Sequence, residues 1–381
     1  MKLGLDIGNS TVKGAMLEDS NHVKAVIKYP SAVTHISDQK YLSYPSLGDY
    51  YIQVVESALA HYDGIVAIGH KAIDLPGYQE FDVTSTSYKA NNPITTSLLF
   101  GAIAQEIKEG EVNVKLAVSI PIVEAKSVGL MAQYKSLLEG QHVIMVFTEQ
   151  KITRLVVNIE VAVVMNEGQA GFLGMMDTVD KHFRNALNAV YASLGEESDP
   201  IGTFEDFLIV DIGEGTTDLA VFRNKRFNPE YSYSVTRGYG NLLEDAMATA
   251  ARENLTIESR KDLQRVLESD NPRRAKRRET WERYVRPTKT DFIDSIVNTI
   301  LKTYGTRDYF DAIIFIGGGF SALTGYTVDM GEVVIRDSTM FDELEKRLDA
   351  NNKSADLIFG IPAPYSQGIN ERGLVQVLST M

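Results

Sequence analysis

The chain has 381 residues, 44% hydrophobic and 23% charged, which is enough for two domains of roughly 150–200 residues and is the balance of a globular rather than a disordered protein. Having no cysteine excludes disulfides, thiolate metal sites and cysteine nucleophiles, as suits a reducing compartment, and the six histidines show no ligand spacing. A net charge of −13 repels nucleic acid, so direct DNA binding would need a local exception.

Lys2-Leu3-Gly4-Leu5 enters a strand at once, with no room for a leader, and no apolar run approaches the ~20 residues that span a bilayer, so a cytoplasmic protein with no membrane partner is expected. This strand ends in Asp6-Ile7-Gly8 and turns through Asn9-Ser10 into a return strand, Thr11 to Leu17, making a hairpin with a glycine at its tip. A third strand is expected from His22 to Lys28, a loop from Tyr29 to Tyr50, an edge strand over Tyr51–Val55 and a short strand over Ile65–Gly69 that turns into a helix. Pro93 opens a helix to about Glu109, with Leu98, Leu99, Ala102, Ile103 and Ile107 at helical spacing. Val112–Ile120 is a strand closed by Pro121; a helix to about Leu138 and strands at Val143–Phe147 and Ile152–Val164 follow. Antiparallel neighbours mixed with strand–helix crossovers indicate an α/β domain with a mixed sheet.

The second half repeats this logic. Helix signals run from Gln169 to Leu194, a polar linker from Gly195 to Gly202, and a second hairpin begins at Phe207. Tyr231–Thr236 is a strand, and Gly238-Tyr239-Gly240-Asn241 introduces a helix over Leu242–Glu253. Helical segments then flank a basic run up to Tyr304. Within that run Arg273, Arg274, Lys276, Arg277, Arg278, Arg283 and Arg286 stand against two acids, Glu279 and Glu282. It is either a solvated helical face or a docking surface for an acidic partner. Ala312–Ile316 is an apolar strand ending in Gly317-Gly318-Gly319, and Phe341–Leu348 is helical.

The chemistry lies in the repeat. Leu3–Leu17 aligns on Leu208–Phe222 without a gap, matching Leu3, Asp6, Ile7, Gly8, Thr11 and Ala15 with Leu208, Asp211, Ile212, Gly213, Thr216 and Ala220. Two related half-domains facing one nucleotide would require this. Glycine lets backbone N–H groups approach an anion, so Gly8, Asn9, Ser10 and Thr11 form one phosphate cradle. Gly213, Glu214, Gly215, Thr216 and Thr217 form the other. Carboxylates aimed at phosphate imply a cation between, so Asp6 and Asp211 are expected to hold Mg²⁺, partly through water. Lys13 can reach phosphate as a point charge, and Asp218 sits at the equivalent offset as a cation-side or supporting carboxylate. Gly317, Gly318, Gly319 and Phe320 are a further candidate wall, where the backbone can lie against a base or a phosphate. Glu167, at the junction after the strand to Val164, is either a catalytic acid that polarises a water or an acid favoured by a helix N-terminus.

Together these residues resemble the actin-like ATPase superfamily in five regions: Asp6–Lys13, Glu167-Gly168, Asp211–Asp218, Phe315–Gly319 and Gly368–Gly373. The resemblance implies an α/β, actin-like fold of two RNase H-like domains with mixed five-stranded sheets flanked by helices, and ATP with Mg²⁺ in a cleft between them. Domain I is expected at 1–165 with 361–381, and domain II at 166–360. Within the superfamily the chain is most similar to ParM-like plasmid-segregation proteins. Glu167-Gly168 resembles their Pro-Glu-Gly connection, with Asn166 in place of proline, and Ser119-Ile120-Pro121 resembles their small-Leu-Pro element. This implies ATP-dependent filaments, hydrolysis coupled to disassembly with Glu167 and Asp211 as catalytic residues, and a DNA-bound adaptor instead of direct DNA contact. The alternatives are a sugar or acid kinase, for which no acceptor-side carboxylate stands out, and a non-polymerising nucleotide-sensing scaffold.

Overall fold

The computed structural model describes residues 1–17, 23–36, 51–75, 77–80, 88–148, 151–176, 180–196, 199–269 and 271–381. The chain divides into two units, Met1–Arg184 with Gly368–Met381, and Asn185–Gln367.

Unit 1 opens with β1 (Lys2–Ile7), β2 (Thr11–Leu17), β3 (Val23–Pro30), β4 (Ala32–Ile36), β5 (Tyr51–Glu56), β6 (Ile65–Ile68), the single turn α1 (His70–Ile73) and β7 (Gln79–Glu80). It continues with α2 (Pro93–Glu106), β8 (Gly110–Ile120), α3 (Ile122–Ala125), α4 (Leu130–Leu138), β9 (Gly140–Phe147), β10 (Ile152–Asn166) and α5 (Glu167–Met175). The division falls within α6 (Lys181–Ser193). Unit 2 then holds β11 (Phe207–Ile212), β12 (Thr217–Arg223), β13 (Arg226–Phe227), β14 (Tyr233–Val235), α7 (Tyr239–Ala251), α8 (Arg260–Leu267) and α9 (Ala275–Thr303). After β15 (Tyr309–Ile316), α10 (Gly318–Thr324), β16 (Thr327–Asp329), β17 (Glu332–Val334), α11 (Thr339–Ala350) and β18 (Ser354–Gly360), the chain returns to unit 1 as α12 (Ile369–Ser379).

The two units build the same sheet. In unit 1, β3, β2 and β1 are successive antiparallel neighbours, and β1, β8 and β10 are parallel. In unit 2, β13, β12 and β11 repeat the antiparallel half, and β11, β15 and β18 the parallel half. Every residue of β11 and β12 is buried, as expected where both faces are covered by helices. Five strands are thus the shared core, and both sheets exceed it. Among the described residues the unit 1 sheet has ten strands in the order β3-β2-β1-β8-β10-β9-β5-β6-β4-β7, and the main sheet of unit 2 has six, with β14 beside β12 and β16 and β17 paired apart from it.

Several elements differ from the sequence expectation. The loop placed between Tyr29 and Tyr50 contains β4, while 37–50 and His22 lie outside the described residues. The single helix expected up to Leu138 is two, interrupted where Gly129 takes a left-handed φ of 79°. α2 is buried over ten consecutive positions, Thr95 to Ala104, and so sits inside the core instead of presenting one face to it. No helix among the described residues is long and apolar enough to cross a membrane.

α5 and α12 run in opposite directions and touch backbone to backbone. A Cβ added at Gly373 would lie 1.9 Å from the Ala170 carbonyl oxygen, and one at Gly174 2.0 Å from that of Ile369. Neither helix can move aside cheaply, because Leu374, Leu378 and Ala170 are buried in one small core cluster. Gly373→Ala should therefore destabilise the protein by about 1–3 kcal/mol, the usual cost of overpacking. Thermal melting by circular dichroism reads this, and an unshifted midpoint would refute so close a contact.

Candidate functional site

In unit 1 the charged groups gather at the carboxyl ends of the parallel strands, the edge where open α/β sheets bind ligands. β1 brings Asp6 to this edge, buried, and its Oδ1 accepts a hydrogen bond from Ser119 Oγ at 2.9 Å, at the matching end of β8. Across the hairpin ladder Asp6 stands opposite Lys13. Glu167 is the first residue of α5, capped by Asn166, whose Oδ1 accepts from the Gln169 N–H at 2.8 Å. The Glu167 carboxylate is buried and accepts from Lys89 Nζ at 3.0 Å. Lys89 comes from the turn before α2, and that turn is pinned by Glu124 of α3. The Glu124 carboxylate oxygens accept the backbone N–H groups of Lys89 at 2.6 Å and Ala90 at 3.0 Å.

Burial works against the Lys89 charge, but Glu167, Asp6 and Glu124 outweigh it and hold the ammonium above its ordinary pKa. Burial pushes Glu124 up, opposed by its two backbone hydrogen bonds. Glu371, in the first turn of α12, is pushed up to about 7 by burial, with Asp6 adding to the rise and Lys13 opposing it. The first hairpin closes with Gly8 N–H donating to Thr11 O at 3.1 Å, and Ser31 braces the tip by donating from Oγ to Gly8 O at 2.5 Å. Ser10 and Thr11 are partly exposed, their hydroxyls 3.4 Å apart, and Asn9 Oδ1 is buried with no hydrogen-bond partner.

In unit 2, Asp211 occupies the same place on β11 and is buried, but the residue opposite it is Asp218. Two carboxylates facing each other in register repel unless hydrogen bonds or a cation compensate. Ser234 supplies one such bond, from Oγ to Asp218 Oδ1 at 2.7 Å. The tip, Gly213 to Thr216, is closed by Gly213 N–H to Thr216 O at 2.9 Å. Its carbonyls at Gly213 and Glu214 accept the N–H groups of Tyr239 at 2.9 Å and Gly240 at 2.8 Å, so α7 starts against the tip. Glu214 lies 3.9 Å from Arg260, and Gly215 is partly exposed.

The glycine triplet packs against this hairpin. Gly317 has φ +97°, and a Cβ there would fall 2.3 Å from Asp211 Oδ1; one at Gly319 would fall 2.7 Å from the Ile212 and Gly213 carbonyl oxygens. Gly317 and Gly319 are therefore needed for the approach to β11 itself, while Gly318 is partly exposed. Two expected ligand contacts have other employment. Phe320 is wholly buried and stacks on Phe315 with ring centroids 5.4 Å apart, so its ring belongs to the core. Thr217 is wholly buried and its hydroxyl donates to Arg237 O at 2.9 Å.

These donor sets fit a phosphate ligand with a hard cation. The Asn9 amide oxygen lacks a protein partner, the glycine tips leave room where a Cβ would clash (2.8 Å from Thr11 O at Gly8), and Asp211 faces another acid. Among the described residues no group of three or more His, Asp or Glu could hold a metal alone. That suits Mg²⁺, which takes one or two carboxylates and fills the rest of its shell with water and substrate phosphate. Asp6 offers one such carboxylate in unit 1 and Asp211 one in unit 2. The sequence expectation omitted Lys89 and Glu124, which join Glu167 only through contacts distant in sequence. It named Ser119 for its motif and not for its bond to Asp6. The basic run occupies the first half of α9 and the turn before it; all its cations are exposed except Arg278, which is 3.6 Å from Glu282.

Two sheets of this shared polarity, each carrying an Asp-Ile-Gly hairpin at its carboxyl edge, define an actin-like fold. Residues 4–169 match the family described as the N-terminal domain of actin-like proteins, and residues 209–326 match the C-terminal domain of the archaeal MreB-like actin homologue. The chain belongs to the actin-like superfamily. Among solved structures it is similar to an archaeal actin homologue, with TM-score 0.66 and 14% identity over 100% of this chain and 99% of that one. It is similar also to apo pSK41 ParM, with TM-score 0.58 and 18% identity over 99% and 96% of the two chains. Bacillus thuringiensis ParM with ATP gives TM-score 0.59 and 15% identity over 98% and 97%. No curated protein matches the chain.

Two outcomes follow from this geometry. Gly317→Ala should displace the Asp211 carboxylate or the Ile212 carbonyl and lower the melting temperature, and an unshifted midpoint would refute so close an approach. Glu371 holds its proton more tightly folded than unfolded. The stability it contributes is therefore complete below about pH 4.5 and lost as the pH rises through about 7. Glu371→Gln should flatten the melting temperature against pH over that window, and a curve parallel to the parent protein's would contradict the desolvation and the Asp6 charge that raise its pKa.

Proposed function

We propose that this chain binds and hydrolyses ATP with Mg²⁺ and assembles in an ATP-dependent way into filaments. Hydrolysis is coupled to disassembly, and the filaments segregate DNA, as a plasmid, through a DNA-bound adaptor. The observation that carries this reading is the Asp-Ile-Gly hairpin repeated at the carboxyl edge of both sheets. Support comes from relatives of the same fold: ParM proteins have been solved with ATP, and one is described as a non-polymerisable quadruple mutant.

In this reading the backbone N–H groups of Asn9–Thr11 and Glu214–Thr216, beyond the two that close the tips, cradle phosphate oxygens, and Lys13 adds a point charge. Asp6 in unit 1 and Asp211 in unit 2 would each offer a carboxylate to Mg²⁺. Mg²⁺, when bound, offsets charge on the phosphates. Glu167, buried at the start of α5, orients the attacking water and takes its proton. The exposed cations of Arg273–Arg286 offer a face for an acidic protein surface, while the negative charge elsewhere keeps DNA itself away.

Light scattering alongside phosphate release, with ATP and Mg²⁺ and no added acceptor, tests the reading. Assembly with release supports it; ADP formation that requires a sugar-like acceptor and leaves the phosphoryl group on that acceptor would replace it with a kinase. Glu167→Gln should slow release on the order of 10²–10⁴-fold while the scattering signal persists, and undiminished release would remove Glu167 from the chemistry.

A further inference from the structure

Lys89 is a buried cation outside every motif that the sequence presents. Its side chain is 6% exposed, and a lysine so enclosed is rare unless paired. Its Nζ donates to Glu167 Oε1 at 3.0 Å, and the Asp6 and Glu124 carboxylates add their attraction. The two ends of its turn are fixed independently. Glu124 grips the N–H groups of Lys89 and Ala90, and three residues on Asn92 caps α2 by accepting from Ile94 N–H at 2.8 Å. Glu167 is fixed in turn as the first residue of α5, the helix locked backbone to backbone on α12. Glu124 thus spends both oxygens on backbone N–H groups, so it aims the lysine more than it neutralises it.

We infer that Lys89 is a positioning residue for ATP hydrolysis. Aimed by Glu124, it holds the Glu167 carboxylate in one orientation for the attacking water. This rests on the water-orienting role proposed for Glu167. An ion pair that served only to stabilise the fold would need no such aiming, and removing it would weaken binding and turnover together. A positioning pair affects turnover alone, because ground-state ATP affinity belongs to the hairpins and the cation ligands.

The test uses the full chain with ATP and Mg²⁺, measuring phosphate release, equilibrium ATP affinity and melting temperature. Lys89→Met should slow release on the order of 10²-fold, the size of effect that a small misplacement of a reacting group produces, with ATP affinity unchanged. Lys89→Arg should recover part of the loss. Because Lys89→Met leaves Glu167 buried without its counter-charge, the neutral pair Lys89→Met with Glu167→Gln provides the second measurement, and it should release phosphate no more slowly than Glu167→Gln alone. Full turnover in folded Lys89→Met beside a slow Glu167→Gln overturns the inference and leaves the function of Glu167 intact. A double variant slower than Glu167→Gln, or affinity and turnover falling together, also overturns it. Parental turnover in Glu167→Gln removes the role of Glu167 and this inference with it.

Discussion

The geometry of the unit 1 site depends on one helix crossing that only glycine permits. α5 and α12 lie so close at Gly174 and Gly373 that any side chain there would overlap a carbonyl oxygen of the other helix. The crossing joins a segment near the middle of the sequence to one at residues 369–379, and it fixes two acids. Glu167 begins α5, and Glu371 lies in the first turn of α12. An acid at a helix N-terminus gains from the dipole in any case, but the dipole alone does not bury it. Burial follows from the packing of both helices on the sheet, with Gly4 of β1 within 3.2 Å contact range of α12 for any Cβ it might have carried. Glu167 is thereby buried beside Lys89, while Glu371 is half-buried and desolvation pushes its carboxyl up.

The two hairpins share a backbone and differ in charge. In unit 1 the acid faces a lysine across the ladder, Asp6 opposite Lys13; in unit 2 an acid faces an acid, Asp211 opposite Asp218. The first pair sets opposite charges side by side, and the second sets like charges there, with Ser234 donating to Asp218. A cation at the second hairpin would offset that like charge. Gly317 adds to this, because its left-handed backbone lets the loop after β15 rest directly on the Asp211 carboxylate and so limits where that carboxylate can go.

Much of this was legible from sequence because it is local. A hairpin tip is set by residues a few positions apart, so Asp6-Ile7-Gly8 and Asp211-Ile212-Gly213 announce their geometry, and the strands on either side end within a residue or two of their expected limits. What was not legible depends on packing between distant segments. Lys89 lies 78 residues from Glu167, in a stretch of serine, threonine and asparagine whose pattern indicates only a turn before a proline-started helix. β4 was obscured because its five residues lie in a stretch whose turn-forming residues suggest a loop, and it becomes a strand by pairing with β6 and β7. The glycine triplet was located correctly, but its neighbour Phe320 looks like a ligand contact only until Phe315 and Phe341 are seen to surround its ring.

The basic run shows why local charge and global charge have to be weighed apart. α9 is continuous through Pro287, and its two halves behave differently. The second half is core, with Phe292, Ile293, Ile296, Val297 and Ile300 buried, whereas the first half buries only Trp281 and leaves its arginines to solvent. A helix anchored at one end and charged at the other presents its cations on a rigid rod, so docking on them orders side chains but no backbone. Exposed single ion pairs contribute little, and Arg278 with Glu282 adds nothing notable to the fold. Arg278 is the member that braces the fold, through Nη1, which donates to Ser269 O at 2.8 Å, and the other cations of the run are exposed. Against a chain of net charge −13 the cluster can attract a compact acidic surface at contact distance, while a long polyanion that runs past it comes within the ~8 Å screening length of the negative surface around it and is repelled there.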